Sequence, residues 1–170
     1  MDSKIIAFAI EAHQNVNHLY DNKPYSVHLA LTVGYAQKYI DLVPEPYQSV
    51  VIDACWLHDT IEDTRMTYND IRAVANPTVA DIVYAVTNEK GKTRKDRANE
   101  KYYEGIKKCD FASFVKLCDR LANAKYSADT NSRMKQVYLT ENENFINSLI
   151  DNKNKQTYSI MIAELNSILS

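Results

Sequence analysis

Glycine and proline are scarce in this 170-residue chain: Gly34, Gly91 and Gly105, and Pro24, Pro44, Pro46 and Pro77. So few turn-formers, with long Pro-free stretches between them, favour helices over a many-stranded sheet. Cysteine is equally thin. Cys55, Cys109 and Cys118 show no C-x-x-C spacing, and the odd count, without a secretory n/h-region, predicts free thiols in a reducing cytoplasm. No apolar run approaches the roughly 20 residues that a membrane span requires. There is no excess of positive charge either: the net charge is −2 and the isoelectric point about 6.1, so charge balance gives no support to binding a nucleic-acid polymer. The length suits one domain, residues 1–170, with enough volume to bury a real core.

What the chain does contain is an apolar run, Val50, Val51, Ile52, Ala54, Cys55, Trp56 and Leu57, that turns abruptly into His58-Asp59-Thr60-Ile61-Glu62-Asp63. Carrying four ionisable groups into a core costs several kcal/mol for each that is left unpaired, so a bound cation is the economical explanation. On one continuous helix, His58 and Glu62 share a face, as do Asp59 and Asp63. Two adjacent faces would then each offer a metal ligand and, a turn later, an extra carboxylate.

Taken in order, the segment from Asp2 to about Tyr20 reads as a helix, with Ile5, Ile6, Phe8, Ala9, Ala12, Val16 and Leu19 at three- and four-residue spacing and Asp2 or Ser3 as cap. Asp21-Asn22-Lys23-Pro24 breaks it. A second helix runs from about Ser26 to Asp41 and carries His28 in its first turn. The third, about Tyr47 to Glu62, carries the central stretch. A short helix, Asp70 to Val74, and an apolar one after Pro77 follow, then a loop at Asn88-Glu89-Lys90-Gly91. Residues 92–108 are the most basic part of the molecule. Lys92, Arg94, Lys95 and Arg97 read either as a solvated helix face or as groups that reach an anionic substrate; Lys107 and Lys108 read as surface. A further apolar run, Phe111 to Asn123 with Asp110 as its cap, again delivers a carboxylate, Asp119, inward, with Asn123 one turn beyond on the same face. Two amphipathic helices, about Ser132 to Ile150 and Gln156 to Leu169, close the chain. The expected architecture is an all-α, single-domain, multi-helix bundle.

His28, His58-Asp59 and Asp119 are two imidazoles and two carboxylates on three helices, a donor set that suits Mn²⁺, Fe²⁺ or Zn²⁺ better than a thiolate-loving ion. H…HD…D is also the signature of the HD metal-dependent phosphohydrolase superfamily. Within it, Leu57-His58-Asp59-Thr60-Ile61-Glu62-Asp63-Thr64 followed by Lys116-Leu117-Cys118-Asp119-Arg120-Leu121-Ala122-Asn123 resembles the hydrolase domain of RelA/SpoT-type enzymes and the stand-alone small alarmone hydrolases. Pro24-Tyr25-Ser26-Val27-His28 matches that family's PY-x-x-H element, and Val86-Thr87 its VT. The likeness is strongest over residues 1–140, and the C-terminal helices complete the bundle.

The resemblance implies that His28, His58, Asp59 and Asp119 hold the metal, usually Mn²⁺, and that Glu62 and Asp63 activate water. Asn123 corresponds to a family Asn near the substrate sugar, and Arg120 follows the metal-binding Asp as in relatives. The implied reaction removes the 3′-pyrophosphate from guanosine tetra- or pentaphosphate, a small phosphorylated nucleotide. With no synthetase domain in the chain, hydrolysis would be its sole activity. One segment departs from the pattern. Relatives commonly place Arg-Lys-Ser ahead of PY-x-x-H, the Arg packing on guanine, whereas an ungapped alignment from His28 puts Leu19, Tyr20 and Asp21 there; the Tyr20 ring would stack on a base instead. The family's HP is also His28-Leu29 here. A phosphohydrolase of another phosphorylated nucleotide and a non-catalytic nucleotide-binding module of the same fold therefore stand beside the alarmone reading.

Overall fold

The computed structural model describes residues 2–170. It is all-α apart from a two-residue hairpin, the one strand pairing among the described residues. Helix α1 (Ser3–Gln14) is capped by Asp2, whose carboxylate accepts from the Lys4 amide. It ends well before Tyr20, because Leu19–Tyr20 pairs antiparallel with Lys23–Pro24. Asp21 and Asn22 between them both have positive φ, 50° and 62°, the conformation that a two-residue turn of the I′ type demands and that Asp and Asn tolerate best. The turn delivers the chain directly into α2 (Ser26–Lys38), with a short 3₁₀ turn at Ile40–Leu42 behind it.

Helix α3 (Glu45–Leu57) starts with Pro46 in its first turn, where a missing N–H costs nothing. It does not continue to Glu62 as the apolar pattern predicts. The helix stops at Leu57, and a separate turn, α4 (Thr60–Asp63), follows. After α5 (Tyr68–Val74), begun by a Thr67/Asp70 capping box, α6 (Pro77–Val86) is capped by Asn76, which accepts from the Val79 amide. The basic segment folds as α7 (Arg94–Arg97) and α8 (Glu100–Lys108), begun by Thr93 and Asn99 respectively.

Helix α9 (Ala112–Asp129) is the axis of the molecule, packing against α2, α3, α6, α8, α10 (Met134–Leu149) and α11 (Ser159–Leu169). Its residues Phe114, Val115, Leu117, Cys118 and Leu121 are fully buried in one core that also holds Leu29, Val51, Leu57, Ile82 and Leu165. Cys55 and Cys118 lie in that core as free thiols. Asp110 is not the cap of α9. Phe111 precedes the helix in a left-handed conformation (φ 64°) and makes no side-chain cap hydrogen bond; its ring packs on Tyr47 instead, with centroids 4.9 Å apart.

The last helix is tied to α2. Glu164 accepts from Lys38 Nζ at 2.7 and 2.6 Å and from the Tyr39 hydroxyl. Glu164→Ala is expected to lower stability by about 1–2 kcal/mol, a Tm drop of about 4 °C, because Tyr39 is buried and loses its acceptor. A calorimetric scan with no change in Tm would show that this tie contributes nothing.

Candidate functional site

The site begins where α3 ends. In an uninterrupted helix, successive side chains diverge by about 100°, so His58 and Asp59 would point to different places. Stopping the helix at Leu57 removes that divergence. His58 keeps helical dihedrals, Asp59 relaxes to φ −97° and ψ 0°, and His58 Nε2 and Asp59 Oδ2 come within 2.9 Å of each other.

Helix α2 brings His28 to the same point. Its Nε2 lies 3.1 Å from His58 Nε2, 3.4 Å from Asp59 Oδ2 and 3.2 Å from Asp119 Oδ1, and Asp119 Oδ1 is 3.7 Å from His58 Nε2. Both imidazoles are 1% exposed. Donor atoms of His28, His58 and Asp119 all lie within 4.8 Å of one another, and Asp59 reaches both imidazoles from the side.

These distances bear on what the cluster holds. His58 Nδ1 lies 2.9 Å from the Cys55 carbonyl and can only donate to it, so Nε2 turns its lone pair to the centre in the neutral ring. Two facing Nε2 atoms at 3.1 Å repel unless a proton or a cation sits between them. Metal–ligand bonds of about 2.1 Å place neighbouring ligands about 3.0–3.4 Å apart in octahedral or tetrahedral geometry. The observed separations fall in and around that range, so the residues fit a divalent ion. Without one, burial opposes charging the rings, but Asp59 and Asp119 overcome it and both imidazole pKa values are raised.

Further groups hold these four in place. Tyr25 Oη donates to Asp59 Oδ2 at 2.5 Å. Burial alone would raise the Asp119 pKa; the Lys116 ammonium, 2.9 Å from its Oδ2, and the two histidines hold it well below the usual carboxylate range. Asn123 donates to Asp119 Oδ1 at 2.6 Å and accepts from Tyr20 Oη at 3.0 Å. The Tyr20 ring itself packs between His28 and Tyr126, with centroids at 4.9 and 4.7 Å.

Glu62 and Asp63, expected to share faces with His58 and Asp59 on one helix, sit instead on the separate turn α4 and have different partners. Both Glu62 oxygens are taken by Asn88, one by its amide N–H at 3.0 Å and the other by its side-chain Nδ2 at 2.8 Å. Among the described residues the Asp63 carboxylate makes no side-chain hydrogen bond; His18 Nδ1 lies 3.9 Å from its Oδ2. Burial, with Asp59 and Glu62 close by, pushes its carboxyl up to about 7.

From the cluster a cleft of about 610 Å³ runs between α4 and α7 on one side and α9 and α10 on the other. Asp59, Asp63 and Asp119 lie at its deep end; Arg94, Lys95, Arg97 and Arg120 line the rest. Neither Lys92 nor Tyr20 lines it. Lys92 is exposed in the loop before α7. Arg94 and Arg120 both reach Glu141 of α10.

Several participants lie outside the sequence expectations. Lys116 was legible, since it precedes Asp119 by three residues in an otherwise apolar helix run. Tyr25 stands within the PY-x-x-H element. Asn88 and Glu141 carry no local signal. His13 and His18 form a pair, Nδ1 to Nδ1 at 3.0 Å, and both rings stack on Tyr25; burial holds the His13 imidazole down at about 4.

Comparison with known proteins places the chain. The sequence profile described as HD domain matches residues 6–146. The guanosine-3′,5′-bis(diphosphate) 3′-pyrophosphohydrolase MESH1 of Danio rerio is 33% identical over 121 residues, covering 71% of this chain and 65% of that protein. The protein of the same name from Drosophila melanogaster is 31% identical over 75 residues, 44% of this chain and 42% of its own length. The chain thus spans just under two thirds of the first relative and less than half of the second. A solved structure, described as a metazoan orthologue of SpoT that hydrolyses ppGpp and plays a role in starvation responses, superposes with a TM-score of 0.61 at 18% identity, covering 99% of this chain and 86% of that one. At that identity the likeness concerns the fold.

Proposed function

The chain belongs to the HD domain family, and from that premise we propose that it is a metal-dependent phosphohydrolase that removes the 3′-pyrophosphate from guanosine 3′,5′-bispyrophosphate or a close analogue. The observation that carries the reading is the convergence of buried His28, His58 and Asp119, with part-buried Asp59 beside them, at a cleft that Arg94, Lys95, Arg97 and Arg120 also line. His28, His58, Asp59 and Asp119 would hold the ion, with Mn²⁺ preferred and Fe²⁺ or Zn²⁺ compatible with the same donors. A divalent ion bound there supplies a Lewis acid for a phosphoryl oxygen and acidifies a ligated water.

The protein's own groups divide the remaining work. Asp63 has an unengaged carboxylate at the cleft, and its raised pKa suits it to take the proton of the attacking water near neutral pH. Glu62, bonded through both oxygens to Asn88, fixes α4 against the end of α6 and so aims Asp63. Lys116 and Asn123 orient the Asp119 carboxylate. Arg94, Lys95, Arg97 and Arg120 neutralise the polyphosphate, and Arg94 and Arg120 suit it best because planar guanidinium groups match phosphate oxygens. Water adds at the phosphorus bonded to the 3′-oxygen, the P–O3′ bond breaks, the departing 3′-oxygen takes up a proton to become the 3′-hydroxyl, and the water oxygen is carried off in pyrophosphate.

Leu19, Tyr20 and Asp21 favour a second reading, in which the base differs from guanine or the nucleotide is another one, because no arginine stands at those positions to pack on guanine. A panel of nucleotides incubated with the Mn²⁺-loaded protein, scored for pyrophosphate against phosphate release, decides between the two. Release of pyrophosphate from guanosine 3′,5′-bispyrophosphate in preference to the rest is expected. Turnover only of other nucleotides, or release of phosphate alone, would favour the second reading, and no turnover at all would overturn both.

A further inference from the structure

A carboxylate stands in the cleft where an anion would be expected to bind. Glu141 of α10 accepts from Arg94 Nε at 2.9 Å and from Arg94 Nη2 at 3.0 Å, and Arg120 Nη1 lies 3.4 Å from its Oε2. The two arginines come from different helices, α7 and α9. Arg120 lies over the rings of Phe145 and Tyr138, 4.2 and 4.7 Å from their centroids, and Arg94 lies 5.8 Å from the Tyr138 centroid. Aromatic rings thus flank both guanidinium groups, and the groups converge on one carboxylate between α7 and α10. Two planar cations sharing one anion, one of them engaged through a fork, is the geometry by which proteins bind phosphate.

We infer that Arg94 and Arg120 form a phosphate subsite and that Glu141 is its built-in competitor, an intramolecular anion that fills the subsite in the free protein and is displaced when a polyphosphate enters. The inference rests on the reading that the cleft takes a polyphosphate. Displacement is feasible because the Glu141 side chain is 34% exposed and has solvent to turn into. The pair is also partly screened, so the penalty it imposes on a ligand is modest. Its effect falls equally on every ligand that needs the subsite, substrate and released pyrophosphate alike. The subsite would be weak by construction, so that tight binding requires contacts at the deep end as well.

Two roles for Glu141 predict opposite signs. If it merely positions the arginines, removing its charge loosens them and weakens anion binding. If it competes, removing its charge frees them and strengthens it. The probe is inorganic pyrophosphate, titrated calorimetrically into the metal-free full chain at low salt. Glu141→Gln is expected to bind pyrophosphate about two- to fivefold more tightly than the wild type, the effect of releasing one partly exposed ion pair. Glu141→Ala should shift in the same direction, which guards against an effect peculiar to the amide. Most of the gain should vanish when Arg94→Gln is also present, since a merely long-range charge effect would survive that change. Unchanged or weaker pyrophosphate binding by Glu141→Gln, or a gain that persists without Arg94, would overturn the inference. Its failure is separable from that of the proposed function. A wild-type protein that turns over guanosine 3′,5′-bispyrophosphate while Glu141→Gln binds pyrophosphate no better refutes the competitor alone. Tighter pyrophosphate binding in a protein with no turnover refutes the function and leaves the subsite standing.

Discussion

Asp119→Ala is expected to remove metal binding and turnover together, with activity lower by on the order of a thousandfold or more. In the proposed site Asp119 would be the one ligand contributed by α9, and it is bonded on every side: His28 at 3.2 Å and Asn123 at 2.6 Å on Oδ1, Lys116 at 2.9 Å on Oδ2. Alanine therefore deletes a ligand and also leaves a Lys116 side chain only 14% exposed without its counter-charge. Breaking a buried pair from one side typically costs about 3–5 kcal/mol, a large share of the 5–15 kcal/mol by which domains of this size are stable. Asp119→Asn separates the two effects. It keeps the shape and an oxygen for Lys116, so it should retain more of the wild-type Tm while still losing most of the metal affinity. Calorimetric Mn²⁺ titration and thermal unfolding, run on both variants, check this. An Asp119→Ala protein that still binds Mn²⁺ as the wild type does, or that turns over within about tenfold of it, would remove Asp119 from the metal site.

The same carboxylate shows which part of the site could be read from the sequence. His58, Asp59 and Asp119 each terminate or interrupt an apolar run, and ionisable groups delivered into a core announce a partner even when the partner cannot be named. His28 has no such signal of its own; it joins the donor set as the second imidazole, and the PY-x-x-H likeness then singles it out. The long helices followed from apolar spacing, and α2, α6 and α9 lie close to where that spacing puts them. The interruption between Leu57 and Thr60 did not follow. The pattern of apolar and polar residues is continuous there, and what ends the helix is the convergence of His58 and Asp59 on groups from α2 and α9, a tertiary demand that local propensity does not encode. The early stop of α1 is different. Asp21-Asn22 is a recognisable signal for a two-residue turn with positive φ, and it sits between residues that periodicity alone assigns to a helix and its breaker. Glu141 and Asn88 illustrate the remaining gap. Each meets its partner across a sequence separation of 20 or more, Glu141 with Arg120 and Arg94 at 21 and 47 residues and Asn88 with Glu62 at 26, and no spacing rule reaches that far.

Asp63→Asn should keep the metal and lose turnover, which distinguishes a proton acceptor from a ligand. The four metal-facing residues are untouched by the change, and Asp63 is held only by the turn α4, whose first hydrogen bond, Asp63 N to Asp59 O at 2.9 Å, belongs to the backbone. Asn retains that bond but cannot take a proton. Losing a general base costs on the order of a hundred- to ten-thousandfold, while the Mn²⁺ affinity should stay within about threefold of the wild type, since a charge beyond the ligand shell acts weakly. The pH dependence supplies the sign. Burial and the neighbouring carboxylates push the Asp63 carboxyl up to about 7 in the metal-free protein, and a cation bound close by pulls it back down. Wild-type turnover should therefore rise with pH and level off near or below neutrality, with the residual activity of Asp63→Asn lacking that limb. Stability of the metal-free protein runs the other way. Between the ordinary carboxylate pKa and about 7 the native state holds a proton that the unfolded chain does not, so this group makes the fold less stable as pH rises through that window. Asp63→Asn should flatten that decline. Metal-dependent turnover preserved in Asp63→Asn, with the wild-type pH profile, would exclude Asp63 as the base and return the role to Glu62, despite both of its oxygens being engaged by Asn88.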